Sequence, residues 1–177
     1  RKFGGADSLA TSYVLAQGLE KAGPFDLILT GNESADGATT HVPSQIGEWL
    51  GLPHIMDVVG VDWREDHCAV VRKRAEGRYY DYQVQLPAVI AVVPEINQVR
   101  IPGVKGILSA KKKPLTVWTA EDFPEMDMRY VGLGGSPTQN GELHEASYGR
   151  QATQLSGSPD EIAAEICRII KPVTGNR

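Results

Sequence analysis

Hydroxyl-bearing side chains cluster at the start of two predicted helices, where they could help to bind a phosphate. They are Thr11 and Ser12 in the first helix, and Thr39, Thr40 and Ser44 around the start of the second. Unpaired backbone N–H groups and the helix dipole make a helix N-terminus favourable for an anion. Taken singly, each hydroxyl is more often a helix cap than a ligand, so the residue types alone leave both roles open.

Residues 26–52 have the pattern of a buried strand, a glycine-containing loop and an amphipathic helix. Residues 26–30 are an apolar run of strand length, which is typical of a parallel strand covered on both faces. Gly31 ends this run where a ligand or a backbone segment must come close, and Pro43 falls in the first helical turn, where its missing N–H costs nothing. The segment is therefore a candidate phosphate cradle. The alternative is an ordinary strand, loop and helix whose threonines only cap.

The first helix is predicted over residues 9–22 from a broad apolar arc. Asp7 or Ser8 is placed to cap this helix. Two polar helix starts that flank one buried strand resemble the crevice at which open α/β sheets bind nucleotides, at the carboxyl ends of their strands. The sequence therefore predicts a nucleotide-binding α/β fold.

A meander of strands and a long polar segment are predicted beyond the second helix. Residues 58–63, 68–74 and 79–86 have the pattern of the meander, and residues 87–93 return to the buried parallel sheet. The polar segment 120–157 is too long for a loop inside a compact domain, so we expect it to wrap a partner. Ser158 and Glu161 then form a capping box for a helix whose apolar stripe either packs on this domain or docks on another subunit.

Composition excludes several classes of function. With 177 residues and 41% hydrophobic content the chain can bury a sizeable core, and its formal net charge of −4 argues against nucleic acid as a main partner. No stretch approaches the roughly 18 apolar residues that a membrane span requires, so we expect no direct membrane insertion. Cys68 and Cys167 lack metal or redox spacing, which makes a bacterial cytoplasm or a mitochondrial matrix the expected compartment.

Catalytic and metal-binding arrangements are not evident in the sequence. The four histidines, His41, His54, His67 and His144, show no metal-ligand spacing. No Cys-His or Ser-His-Asp set can be assigned to one site. The sequence therefore predicts no catalytic side chain and no metal site.

Several sequence blocks occur in a distinctive order along nearly the whole chain. They are residues 5–8 with 10–12, residues 31–44, Leu86 to Ile90, Asn97 with Arg100, Ala110 to Lys113, and Gly134 to Thr138. In this order the blocks resemble the beta subunit of electron transfer flavoprotein. The last block resembles a Gly-Ser-Pro-Thr segment of flavin-bifurcating members.

The resemblance implies an α/β fold with an open, mostly parallel nucleotide-binding sheet of the adenine nucleotide alpha hydrolase-like type. A small antiparallel meander and a C-terminal partner-wrapping arm accompany that sheet. The implied domains are residues 1–119, which include a recognition loop at 97–113, and residues 120–177, which contact the alpha subunit. The chain would then be an electron carrier subunit, in which a flavin and not a side chain does the chemistry.

The resemblance also implies which residues bind the cofactor and the partners. The crevice would hold FAD, or alternatively AMP, through Ala6, Asp7, Ser8, Thr11, Ser12, Gly31, Asn32, Asp36, Gly37, Thr39, Thr40, His41, Val42 and Ser44. The alpha subunit carries the principal FAD of the heterodimer. An acyl-CoA-type or other dehydrogenase would be recognised through Val104, Ile107, Leu108 and Lys112, with Val104 as the exposed apolar anchor.

Some positions depart from the family pattern, and they keep two other functions open. Glu33 replaces a glutamine, Ala38 an aspartate, His41 a glutamine, and Pro43-Ser44 a Gly-Pro pair. The family's first strands and helix have no counterpart before Arg1, so we expect the chain to lack that N-terminal portion. The alternatives are a stand-alone adenine-nucleotide-binding or sensing domain without a redox role, and a scaffold subunit with an empty crevice.

Overall fold

A five-stranded sheet with two helices on one face forms the first part of the chain. The structure, a computed structural model, describes residues 2–139, 141, 149 and 152–174. The chain divides into two compact units, Arg1–Asn140 and Gly141–Arg177. The helices and strands are α1 (Ser8–Ala22), β1 (Leu27–Gly31), α2 (Val42–Leu50), β2 (His54–Arg64), β3 (Cys68–Ala75), β4 (Arg78–Gln85), β5 (Ala88–Val92), α3 (Val104–Ala110) and α4 (Pro159–Thr174).

The sheet is mixed, with the strand order β1-β5-β2-β3-β4. Strands β1 and β2 both run parallel to β5, whereas β2, β3 and β4 form an antiparallel meander at the other side of the sheet. The predicted α/β class and the predicted meander are therefore confirmed. The assignment to the adenine nucleotide alpha hydrolase-like type stays a prediction.

Strand β5 is buried on both faces, as its continuous apolar run predicts. Val89 packs with Ile28 and Ile46 beneath the helices, while its neighbour Ile90 packs with Val58 on the opposite face. Burial of each of these side chains contributes roughly 1.5–3 kcal/mol to folding. The parallel side of the sheet, formed by β1, β5 and β2, is thus the base from which the loop after β1 extends.

The two helix starts differ in how they are capped. Asp7 caps α1, because its carboxylate accepts a hydrogen bond from the N–H of Ala10 at 3.0 Å, as predicted. Helix α2 begins after His41, whose side chain makes no capping hydrogen bond. The interpretation of Thr39 or Thr40 as the cap is therefore wrong. Thr40 has a left-handed backbone with φ of 59°, and its hydroxyl donates to the carbonyl oxygen of Thr39 at 2.6 Å.

Residues 120–139 belong to the first unit and pack against α1. Met126 and Val131 are buried with Tyr13, and the N–H of Asp127 donates to the Tyr13 hydroxyl at 2.8 Å. The Tyr13 ring also contacts Trp49 edge-on, with ring centroids 5.0 Å apart. Of the segment 120–157 that we expect to wrap a partner, residues 140, 142–148, 150 and 151 lie outside the described residues.

The second unit contains α4 and its capping box. The N–H of Ser158 donates to the Glu161 carboxylate at 2.8 Å, and the N–H of Glu161 donates back to the Ser158 hydroxyl at 3.4 Å. This confirms the predicted helix start. Ile166 and Ile169 of the apolar stripe are exposed, at 42% and 53%.

Candidate functional site

Three cavities border the carboxyl end of β1. Two of them also border the start of α2, and we call these two the smaller and the larger compartment. The smaller compartment has a volume of about 350 Å³ and is lined by Thr11, Leu15, Thr30, Gly31, Asn32, Glu33, Ser34, Thr39, Thr40, Val42, Pro43 and Ile46. The larger has a volume of about 650 Å³ and is lined by Asn32, Thr40, Ser44, His54, Ile55, Met56, Asp57, Lys73 and Tyr82. Asn32 and Thr40 line both compartments, so they form the wall between them.

The smaller compartment combines hydroxyl groups with the start of α2. Glu33 is its one ionisable side chain among the described residues, so a bound phosphate would depend on hydroxyls and backbone N–H groups. Thr30 is a residue that the sequence analysis missed. Its Oγ1 atom is buried and has no hydrogen-bond partner among the described residues. The only signal in the sequence is a threonine at the end of an otherwise apolar strand.

The larger compartment contains a hydrogen-bonded pair of polar side chains, Asn32 in the loop after β1 and Asp57 in β2. The Asn32 side-chain amide donates to Asp57 Oδ1 at 2.8 Å, and the backbone N–H of Asp57 donates to Asn32 Oδ1 at 3.0 Å. Lys73 Nζ lies 3.8 Å from Asp57 Oδ2. The hydroxyl of Ser44 donates to the sulfur of Met56 at 2.8 Å. These contacts join the loop after β1 and the start of α2 to strand β2.

The structure brings some of the predicted cofactor-binding residues together at these compartments. Those that line at least one compartment are Thr11, Gly31, Asn32, Thr39, Thr40, Val42 and Ser44. Those that line neither are Ala6, Asp7, Ser8, Ser12, Asp36, Gly37 and His41. Most of the predicted residues that line a compartment therefore come from the loop after β1 and the start of α2, and only Thr11 comes from α1.

Ser12 and Asp7 have structural partners on α1. The buried hydroxyl of Ser12 donates to the carbonyl oxygen of Leu9 at 2.8 Å and accepts from the indole N–H of Trp49 at 3.1 Å. Burial acts to raise the pKa of Asp7, but hydrogen bonds from the N–H groups of Ala10 and Thr138 outweigh it and hold the pKa below its usual value. Asp7 is thus a carboxylate that is stabilised in its ionised form.

Asp36 lies on the exposed part of the loop between β1 and α2. A hydrogen bond from the Ser34 hydroxyl, followed by backbone N–H groups of Asp36 and Gly37, lowers the pKa of its carboxyl. The backbone carbonyl oxygen of Ser34 also accepts a hydrogen bond, from the N–H of Ala38 at 3.0 Å. The loop therefore holds its own turn closed through Ser34.

The Gly134–Thr138 block packs on the start of α1. The N–H of Asp7 donates to the Ser136 hydroxyl at 2.8 Å, and this hydroxyl donates to the carbonyl oxygen of Gly132 at 2.8 Å. Gly132 has φ of 61°, and a Cβ atom there would collide with the carbonyl oxygen of Lys2. Only glycine is compatible with this close approach.

The predicted recognition loop contains the short helix α3 and is exposed. Val104, Ile107 and Leu108 have exposed fractions of 75%, 50% and 58%, and Lys112 is also exposed. Three apolar side chains of one helix are therefore accessible to a partner.

Within the described ranges, no group of three or more His, Cys, Asp and Glu residues is arranged to hold a metal ion. No helix in the same part of the chain has the length and apolar character to cross a membrane.

A family model and curated relatives of similar sequence assign the chain to the same family. Residues 1–123 match the model of the electron transfer flavoprotein domain. The caffeyl-CoA reductase-Etf complex subunit CarD of Acetobacterium woodii is 40% identical over 139 residues, which are 78% of this chain and 52% of that protein. The electron transfer flavoprotein subunit beta of Clostridium acetobutylicum is 37% identical, with the same coverage of both chains.

A third relative is also named an electron transfer flavoprotein subunit beta. The subunit beta of Megasphaera elsdenii is 35% identical over 145 residues, which are 78% of this chain and 53% of the relative. The chain thus spans about half the length of the curated relatives that it matches. The resemblance found in the sequence blocks is confirmed, and the chain belongs to the electron transfer flavoprotein family.

Proposed function

We propose that this chain contributes to the beta subunit of a heterodimeric electron transfer flavoprotein, which passes electrons between dehydrogenases and downstream acceptors. The observation that carries the proposal is the pair of adjoining compartments beside the end of β1. The family and the relatives that are named beta subunits support it.

The ligand that we propose for this crevice is FAD and not AMP. AMP would occupy one compartment, whereas a dinucleotide extends from the smaller compartment past Asn32 and Thr40 into the larger one. Each volume lies in the range of roughly 300–1,000 Å³ that is typical of small-molecule sites. The presence of a second compartment, with polar and aromatic lining, favours a ligand with a second ring system.

The residues of the smaller compartment fit the phosphate groups of such a ligand. The hydroxyls of Thr39 and Thr40 line the cavity beside the first turn of α2, where N–H groups favour an anion. The buried hydroxyl of Thr30 would gain the hydrogen-bond partner that it lacks among the described residues. FAD, when bound, supplies the electron transfer, so these side chains need only bind it and hold its orientation.

Glu33 is the one lining residue that opposes a phosphate. A carboxylate next to a phosphate repels it by like charge, which weakens binding. A ribose hydroxyl, in contrast, can donate a hydrogen bond to a carboxylate. We therefore propose that Glu33 faces the ribose side of the nucleotide.

Helix α3 is the surface that we propose for the dehydrogenase partner. Its exposed residues Val104, Ile107 and Leu108 precede the cationic run Lys111–Lys113. Electron-transfer contacts are small and transient, and a few central residues carry most of their energy. A small apolar anchor beside positive charge suits such a contact.

Residues in the second unit are proposed to contact the alpha subunit. Ile166 and Ile169 leave an apolar stripe of α4 exposed within that unit. Covering such a stripe gains about 25 cal/mol for each Å² of apolar surface removed from water. The free thiols Cys68 and Cys167 agree with a reducing compartment, which we propose to be a bacterial cytoplasm or a mitochondrial matrix.

The test is the cofactor content of the protein purified together with its alpha-subunit partner. We expect a flavin absorbance spectrum and FAD in a molar amount about twice that of the heterodimer, because the crevice adds a second flavin to that of the alpha subunit. Equal amounts of FAD and AMP would retain the function but overturn the choice of FAD. A protein that binds no alpha subunit and retains only an adenine nucleotide would favour the stand-alone binding domain.

A further inference from the structure

Asp57 adopts an unusual backbone conformation at the wall of the larger compartment. Its φ of 59° lies in the left-handed region, which is uncommon for a non-glycine residue inside a strand. The pairing of β2 with β5 changes register between Ile55 and Val58, and its pairing with β3 changes register between Val58 and Gly60. Asp57 therefore lies in a bulge that interrupts the strand next to the cavity. Strained residues held in this way are often part of a binding site.

Two hydrogen bonds hold the bulge against the loop after β1. The Asn32 amide donates to Asp57 Oδ1 at 2.8 Å, and the N–H of Asp57 donates to Asn32 Oδ1 at 3.0 Å. Both polar atoms of the Asn32 amide are engaged by the same residue, so Asp57 determines how Asn32 is oriented. Asn32 in turn forms part of the wall between the two compartments.

The second oxygen of Asp57 balances the charge of the larger compartment. Asp57 Oδ2 lies 3.8 Å from Lys73 Nζ, and both side chains are only partly exposed, at 43% and 29%. Among the described residues, they are the one carboxylate and the one ammonium group that line this compartment. The carboxylate thus cancels a positive charge that would otherwise attract an anion into the cavity.

We propose that Asp57 is a specificity-determining residue that makes the crevice accept a dinucleotide with an uncharged ring and reject ATP. This inference rests on the proposed function, in which the smaller compartment holds the adenine nucleotide. A ligand that passes Asn32 and Thr40 places its far end beside Asp57 and Lys73. The uncharged ring system of FAD meets a compartment without net formal charge. The additional phosphates of ATP meet the Asp57 carboxylate, and no excess cation compensates for it.

Asp57→Asn is the sharpest variant because it removes the charge and keeps the geometry. An asparagine oxygen can still accept from the Asn32 amide, and the backbone N–H of residue 57 is unchanged. Lys73 is then left without its carboxylate, so the compartment gains a net positive charge. Lys73→Gln removes the positive charge instead, so the Asp57 carboxylate gives the compartment a net negative charge. The matched control is Asp62→Asn, which removes an exposed carboxylate from the same strand, 2.6 Å from Arg64 and outside both compartments.

The measurement is the affinity of the purified protein for FAD, AMP and ATP by titration calorimetry, without divalent metal and at low and high salt. In Asp57→Asn we expect ATP to bind about tenfold more tightly, AMP and FAD to change less than about twofold, and the gain to shrink at high salt. In Lys73→Gln we expect ATP to bind more weakly still. Asp62→Asn should leave all affinities unchanged. Circular dichroism spectra establish that each variant is folded.

The outcomes separate the inference from the function on which it rests. If the unaltered protein binds FAD or AMP but the ratio of ATP to FAD affinity is the same in Asp57→Asn and Lys73→Gln, the role of Asp57 is overturned and the proposed function stands. If Asp57→Asn tightens AMP as much as ATP, the effect is a general one of charge and the inference also fails. If the unaltered protein binds none of the nucleotides, the proposed function and the inference are both wrong.

Discussion

Replacing Thr30 by valine should have opposite effects on the stability of the ligand-free protein and on nucleotide binding. The Oγ1 atom of Thr30 is buried at the end of β1 and has no hydrogen-bond partner among the described residues, and the residue lines the smaller compartment. Valine has nearly the same shape but carries a methyl group in place of the hydroxyl. The change therefore removes an unsatisfied polar group while it leaves the packing of the strand largely intact.

The expected magnitudes follow from the cost of such a hydroxyl. A buried polar group without a partner costs roughly 1–3 kcal/mol, so the ligand-free Thr30→Val protein should be more stable by about 1 kcal/mol or more. For a chain of this size, that gain raises the melting temperature by about 2–4 °C for each kcal/mol. Nucleotide binding should weaken by about tenfold or more, because the ligand loses a hydrogen bond to a charged phosphate, which is worth roughly 1.5–3 kcal/mol.

Thermal unfolding of the ligand-free protein and equilibrium dialysis with FAD measure the two effects. The control is Thr119→Val, since the exposed hydroxyl of Thr119 already has a partner in Asp122 Oδ2 at 3.1 Å. That control should lose a little stability and leave FAD binding unchanged. A Thr30→Val protein that melts at a lower temperature, or that binds FAD as tightly as before, would show that the Thr30 hydroxyl does not form a hydrogen bond with the ligand.

Three further predictions concern the crevice, the partner surface and the start of α1. Glu33→Gln should change nucleotide affinity less than about twofold in equilibrium dialysis, because the glutamine oxygen can still accept a hydrogen bond from a ribose hydroxyl; binding that tightens severalfold would instead indicate a phosphate near residue 33. Val104→Ala should slow electron exchange with the dehydrogenase in stopped-flow measurements while the melting temperature stays the same, because 75% of Val104 is exposed; a drop of several degrees with unaltered kinetics would instead assign Val104 to the core. Although burial acts to raise the pKa of Asp7, hydrogen bonds from backbone N–H groups outweigh it and hold the pKa below its usual value, so the contribution of Asp7 to stability is present above the usual pKa and is lost as pH falls through the lowered one. The melting temperature of Asp7→Asn should therefore be lower than that of the unaltered protein at neutral pH and converge with it in acid, and a difference that is constant with pH would contradict the role of the charge.

Local patterns in the sequence predicted most of the regular elements, although α3 lies in a segment that was predicted to be a loop. The apolar runs at residues 26–30 and 87–93 predict β1 and β5, and β5 is buried on both faces as expected. The predicted burial of β1 on both faces is wrong, because β1 is an edge strand and Leu29 is 58% exposed. Asp7 and Ser158 were predicted as helix starts, because a cap bonds within its own first turn. Such features depend on neighbours in the chain and can be found from sequence alone.

The parts of the site that were missed depend on distant residues or on backbone angles. The left-handed conformation of Thr40 has no signature in its residue type, and that of Asp57 has only a weak one, since aspartate is enriched in this region. The conformation of Thr40 moves the start of α2 beyond the predicted cap. The Asn32–Asp57 pair joins residues 25 positions apart through a bulge that no periodicity indicates. Residues 120–139 were assigned to an extended arm because the polar segment 120–157 is too long for a loop inside a compact domain, yet Met126 and Val131 are buried against Tyr13 on α1.

The contact between Ser136 and the start of α1 has a consequence for the order in which the protein folds. The N–H of Asp7 and the hydroxyl of Ser136 are separated by 129 positions in the chain. Closing so long a loop is entropically costly, and contacts of this kind form late compared with local ones. On a ribosome, the helical turns of α1 can form as soon as they emerge, but the helix start stays unfinished until the Gly132–Thr138 turn has been synthesised. Until then the apolar face of α1 around Tyr13 is exposed and can associate with other chains. Translation that stalls before residue 132 should therefore yield an aggregation-prone intermediate.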